Sequence, residues 1–242
     1  MIGSDLRGNV GVVTVDRHER RNALDVEHCR ALRTTVIALL AQGVRALVVT
    51  GSGTTFCAGA DLGGVHGEEF REALYGALHA LTTAQVPVLA AVNGPAVGAG
   101  TQLALACDLR VVAPDSFFSV PTATNGLAVD PWTVRRLALL AGGGAARAML
   151  LGCDRIDASL ALQRGLADRI GDTAAALAWA DEITHLAPLS LRYSKLALDT
   201  LFEPPEWEPE LDKRFELVWA SEDAAEGRQA RVERRQPRFH GR

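Results

Sequence analysis

The apolar positions of this chain form short, nearly unbroken runs through its first two-thirds and take helical spacing thereafter. Val10–Val15, Ala46–Thr50, Val88–Val92 and Leu109–Val112 are rich in β-branched or small apolar residues and end at polar or glycine-bearing clusters. Runs of this length read as strands covered on both faces, as in a parallel sheet. Phe117–Val120 and Asp168–Ile170 are weaker strand candidates. Between them the spacing predicts helices over Val26–Ala41, Glu68–Leu81, Thr101–Cys107, Pro131–Ala141, Ala145–Leu151 and Ser159–Arg164. Asp25 stands as N-cap to the first, with Gly43 as its stop; Asp130 caps the fourth, with Pro131 at its first position. Beyond Asp172 only helices are predicted, over Thr173–Leu186, Leu189–Leu201, Trp207–Trp219 and Glu222–Glu233. The pattern describes an α/β core over residues 1–171, followed by a C-terminal helical region and basic tail over residues 172–242.

Two glycine-rich turns interrupt this pattern. In the first, Phe56-Cys57-Ala58-Gly59-Ala60-Asp61-Leu62 follows the Ala46–Thr50 strand and leads into the glycine-rich loop Gly63–Gly67. In the second, Asn93-Gly94-Pro95 ends the Val88–Val92 run, and Gly98-Ala99-Gly100 precedes an apolar helix. Strand, turn and helix start in succession leave several backbone N–H groups unpaired around one point, and the helix dipole there favours negative charge. The same small residues also suit close packing of a buried helix, and the stretch alone admits both readings.

Charge and cysteines narrow the setting. The net charge of −4 points to no nucleic acid partner, although the tail from Arg228 carries six arginines against the single acid Glu233. Cys29, Cys57, Cys107 and Cys153 are far apart, form no C-x-x-C pair and read as buried, reduced thiols of a cytoplasmic protein. No run approaches the roughly 20 apolar residues that a membrane helix needs. The histidines show no ligand spacing, so no metal is expected.

Three segments together resemble the crotonase superfamily, the enoyl-CoA hydratases and isomerases. They are Glu19-Arg20-Arg21-Asn22-Ala23-Leu24-Asp25, Val48–Gly51 continued by Phe56–Leu62, and Ala91–Gly100 continued to Cys107-Asp108. The match extends through Phe117 and Arg136-Leu137 to Arg234-Arg235 and so covers essentially the whole chain. The resemblance implies a ClpP/crotonase-like spiral of ββα units with C-terminal helices used in trimerisation, commonly as a dimer of trimers. It implies no cofactor, but a fatty acyl- or enoyl-CoA thioester as ligand, and a place in fatty acid metabolism. By match to the family's motifs, the Ala60 and Ala99 amides would grip the thioester oxygen as an oxyanion hole, stabilising an enolate by several kcal/mol. The turn with Ala58, Ala60, Asp61 and Leu62, together with Ala23, Arg20 and Arg21, would meet coenzyme A. His66 and Trp132 would border the acyl chain.

Hydratases of this family use two glutamates. Where the first would stand, three residues after Ala99 and on the same helix face, this chain has Gln102. Where the second would follow the proline after the Phe117–Val120 strand, it has Thr122. Neither side chain titrates near neutral pH, so neither serves as general acid or base. The expectation is a protein that binds acyl-CoA without ordinary hydration, holding it for a partner enzyme. The alternative is a weak hydratase or an isomerase acting through Asp130, which either only caps its helix or also faces the acyl chain. Trp132 beside it is read as packing or as a pocket wall. A purely structural protein that binds no coenzyme A is the third reading.

Overall fold

A computed structural model describes residues 1–61, 67–202 and 215–240 of the 242-residue chain. The chain opens with an antiparallel hairpin, β1 (Ile2–Arg7) and β2 (Val10–Val15), turned at Gly8 with φ 61°. Then come α1 (Val26–Ala41), β3 (Ala46–Gly51), α2 (Glu68–Thr82), β4 (Val88–Val92), β5 (Ala96–Val97), α3 (Ala99–Ala106), β6 (Leu109–Val112) and β7 (Phe117–Ser119). They are followed by α4 (Pro131–Ala141), α5 (Gly143–Leu151), β8 (Arg155–Asp157), α6 (Ala158–Arg164) and β9 (Arg169–Ile170). Helices α7 (Thr173–Thr184) and α8 (Pro188–Phe202), the helical residues 215–219 and α9 (Glu222–Glu233) complete the described chain.

The main sheet has the order β1-β2-β3-β4-β6-β9, parallel throughout except at the β1–β2 edge. Its central strands are covered on both sides, which is why they read as unbroken apolar runs. Alternation then sorts their side chains between two cores. Val13, Leu47, Val49, Val88, Ala90 and Val112 pack toward the larger core with α1, α2 and α3. Val12, Val48, Leu89 and Val111 face a smaller core closed by Ala176, Ala180 and Ile183 of α7. The first C-terminal helix is therefore a layer of the sheet itself.

A second sheet of three strands has the order β5-β7-β8. Its pairing of Ala96 with Phe118 and Val97 with Ser119 fixes where the second glycine turn emerges. Helix α8 is held by Lys195, whose ammonium donates to the carbonyls of Leu81 (3.1 Å) and Val86 (3.2 Å) and to the Asp108 carboxylate (2.9 Å). The helix presents Leu189, Tyr193 and Leu196 to the outside, each more than 60% exposed.

Candidate functional site

The two glycine turns are stitched together by main-chain hydrogen bonds. Cys57 N donates to Pro95 O (3.2 Å) and Val97 N to Cys57 O (2.9 Å), while Leu24 N donates to Gly59 O (2.8 Å) and Asp61 N to Leu24 O (2.7 Å). The contact is too close for side chains at two positions. A Cβ on Gly100 would lie 2.1 Å from Cys57 O, and one on Gly59, at φ 100°, would lie 2.8 Å from Val97 O. The same added atom on Gly59 would stand 3.6 Å from the Ala99 nitrogen, a measure of how near the turns come. Two buried or half-buried amides brace them from outside. Asn22 donates to Ser52 O (2.9 Å) and Thr55 O (2.6 Å), and Asn93 to the carbonyls of Gly51 and Gly53 (both 2.9 Å).

Helix α3 begins at Ala99, two residues before the predicted start, so the Ala99 amide is the first N–H of the helix. Among the described residues, neither this amide nor that of Ala60 donates to a main-chain carbonyl. Both residues line one cavity of about 160 Å³. Around it stand Phe70, Arg71, Leu74 and Tyr75 of α2, Gln102 of α3, and the uncharged run Pro121, Thr122, Asn125 and Leu127–Val129. Trp219 and Arg231 close it from the C-terminal side.

Gln102 is 5% exposed, and its amide nitrogen is fully committed: it donates to Asp130 Oδ2 (3.0 Å) and Thr133 Oγ1 (2.8 Å). Asp130 accepts in turn from Thr133 N at Oδ1 (3.0 Å) and from Thr133 Oγ1 at Oδ2 (2.5 Å). A carboxylate only accepts, so the network fixes which end of the Gln102 amide is nitrogen. Tyr75 faces the same cluster. Burial pushes its phenol pKa up, and the nearby Asp130 charge and hydroxyl contact add to the shift. Thr122 begins the short turn before Ala123–Asn125 and lines the wall beside Gln102.

A cover made by residues 215–219 and α9 completes the site. Arg71 makes a bidentate pair with Glu216 (2.7 and 2.9 Å), and its guanidinium carbon lies 5.3 Å from the ring centroids of both Phe215 and Trp219. Trp219 Nε1 donates to Ala128 O (3.2 Å). Glycines let α9 approach closely: a Cβ on Gly227 would meet Asn125 O at 2.1 Å.

Several expectations are amended. Asp130 both caps α4 and meets the site through Gln102, standing behind that side chain and outside the cavity lining. Trp132 does not line the cavity; it packs at the core's edge with the Arg136 guanidinium 5.5 Å from its ring, because α4 turns it away. Arg20 and Arg21 are exposed, with Arg21 in the left-handed region at φ 53°, and neither lines the cavity. Ala23 is buried, Ala58 lines the cavity, and Asp61 pairs with Arg17 at 2.9 Å. Leu62, His66, the loop through Val65 and most of the Trp207–Trp219 segment lie outside the described residues. Arg71, Tyr75, Trp219 and Arg231 were not singled out from sequence. For Arg71 and Tyr75 the signal is an inward α2 face at i, i+3, i+4 spacing (Arg71, Leu74, Tyr75), which does not say what it faces, and for Arg231 it is the arginine-rich tail.

Cys29, Cys57 and Cys107 are buried, and Cys153 is half-buried rather than buried as expected. Burial pushes the Cys57 thiol, within the first turn, up to about 12. Alkylation of the folded protein at neutral pH is expected to modify Cys153 alone, and all four cysteines after unfolding. Rapid modification of Cys57 in the native state would contradict this packing. Among the described residues, no group of three or more metal-ligating side chains forms, and no helix is long and apolar enough to cross a membrane.

With two joined turns and a cavity lined by Ala60, Ala99 and Gln102, the chain has the fold expected from its motifs. It belongs to the enoyl-CoA hydratase/isomerase family, whose sequence model matches residues 5–242. It is 45% identical over 246 residues to "Probable enoyl-CoA hydratase echA6" of Mycobacterium leprae, with all of both chains covered. Identity to the protein of the same name from Mycobacterium tuberculosis is 44% over 242 residues, again covering both chains completely. A solved enoyl-CoA hydratase from Mycobacterium avium subsp. paratuberculosis superposes with a TM-score of 0.87 at 26% identity, covering 99% of this chain and 98% of that one. A methylmalonyl-CoA decarboxylase in complex with 2-nitronate-propionyl-CoA shares the fold, with a TM-score of 0.90 at 22% identity, covering 100% and 98% of the two chains.

Proposed function

We propose that this protein binds fatty acyl- or enoyl-CoA thioesters and does not carry out ordinary hydration. One observation carries the reading: the cavity beside the Ala60 and Ala99 amides is walled by Gln102 and Thr122, neither able to move a proton at neutral pH. The two amides have no main-chain acceptor among the described residues and suit a carbonyl oxygen, and the Pro121–Val129 wall suits an acyl chain. Ala58 and the adjoining turn would meet coenzyme A. On this reading the protein holds a thioester for a partner enzyme of fatty acid metabolism, in the cytoplasm. The exposed apolar face of α8, with Leu189, Tyr193 and Leu196, supports assembly into trimers or a dimer of trimers.

The grip is tested by comparing an acyl-CoA with the matching alkyl-CoA thioether, which lacks only the carbonyl oxygen. Two hydrogen bonds at about 0.5–1.5 kcal/mol each give the thioester roughly a 10- to 100-fold advantage. Equal affinities would remove Ala60 and Ala99 from the site.

The relatives' names favour a second reading, an active hydratase, whose isomerase variant would work through Asp130. For Asp130 to act, it would have to reach the substrate past Gln102, which occupies its Oδ2. An Asp130→Asn variant that consumes enoyl- and dienoyl-CoA substrates as wild type does would rule out Asp130 as the proton carrier, and no turnover of either substrate by wild type would rule out the whole reading.

A further inference from the structure

We propose that the Arg71–Glu216 pair is a catch that controls release of long acyl chains, a reading that rests on the acyl-CoA function proposed above. Residues 215–219 reach the cavity from a distant part of the chain, and Arg71 touches three of them, Phe215, Glu216 and Trp219. It grips Glu216 with both terminal nitrogens, at 2.7 and 2.9 Å, and lies beside the edge-to-face pair of Phe215 and Trp219, 5.3 Å from each ring centroid. Arg71 and Trp219 are themselves cavity lining, so whatever fixes one fixes the far wall. The fastening is also incomplete. Arg71 Nε is sealed from solvent and has no hydrogen-bond partner among the described residues, which is a cost to the closed arrangement. Glu216, by contrast, is 60% exposed, so water and salt compete for its half of the pair. A strongly built wall would have neither feature; a contact that must open has both.

The proposal puts this wall at the acyl end of the cavity, where it meets only chains long enough to reach it. Chain length therefore separates a catch from a merely structural contact. The test measures dissociation rates of palmitoyl-CoA and acetyl-CoA from wild type and from the Glu216→Gln and Arg71→Met variants, at low and high salt. Palmitoyl-CoA is expected to leave Glu216→Gln at least about fivefold faster than wild type, with acetyl-CoA unchanged. Higher salt should speed palmitoyl-CoA release from wild type and have little effect on either variant. Hydrogen exchange of residues 215–219 should quicken in both variants without ligand. Equal palmitoyl-CoA release from wild type and Glu216→Gln would overturn the catch, as would equal acceleration of both ligands. Failure of wild type to bind either thioester would instead overturn the acyl-CoA reading, and unchanged exchange at residues 215–219 would then overturn the catch independently.

Discussion

Hydration of crotonyl-CoA by this protein is expected to run at least about 10⁴-fold slower than by a family member carrying both glutamates, since each general acid or base contributes about 10²–10⁴-fold. At Gln102 and Thr122 the protein retains side chains that hydrogen-bond but do not titrate. Restoring the pair as Gln102→Glu with Thr122→Glu is the repair that the sequence alone suggests. The structure shows why that repair is incomplete. A glutamate at 102 would bring a carboxylate to the place of an amide nitrogen now 3.0 Å from Asp130 Oδ2. Two carboxylates at that separation resist joint ionisation, so one would hold a proton well above its ordinary pKa. Adding Asp130→Asn removes the conflict, since asparagine keeps the cap on Thr133 N and supplies a donor to the new carboxylate. The triple variant is expected to hydrate crotonyl-CoA at least about tenfold faster than the double variant. A double variant as active as the triple would mean that Asp130 does not oppose residue 102.

Replacing Asp130 by alanine is expected to cost about 2–4 kcal/mol of stability, read by urea unfolding. Loss of an N-cap accounts for about 1 kcal/mol. The remainder comes from the Gln102 amide and Thr133 hydroxyl, buried donors left without their common acceptor at roughly 1–3 kcal/mol. Asp130→Asn preserves the cap and should cost clearly less. Unfolding of the alanine variant within about 0.5 kcal/mol of wild type would show that this network holds nothing together. The comparison also separates support from catalysis: a supporting aspartate changes stability, whereas a proton carrier changes turnover in the asparagine variant.

Much of the fold was legible because its central strands are covered on both faces and its helices carry strong caps. Val88–Val92, Leu109–Val112, Pro131–Ala141 and Glu222–Glu233 have the expected bounds. What escaped was held by pairing rather than burial. β1 is a largely exposed edge strand, β5 has two residues, and β8 buries only Ile156. The site divides in the same way. Ala60, Ala99, Gln102 and Thr122 are named by match to the family's motifs, and all four line the cavity. Arg71, Tyr75 and Trp219 come from α2 and a far C-terminal segment, and no local pattern records which walls they form. Asp130 shows how far such reading reaches. An aspartate before proline gives the cap, but only the fold reveals that its second oxygen fixes the direction of the Gln102 amide.

The most direct measurement places both halves of the central claim side by side: calorimetric titration with a long-chain acyl-CoA, and hydration of crotonyl- and longer enoyl-CoA by the same preparation. The account predicts saturable thioester binding with hydration at least about 10⁴-fold below an ordinary hydratase. Turnover near that of an ordinary hydratase, or no binding at all, would contradict it.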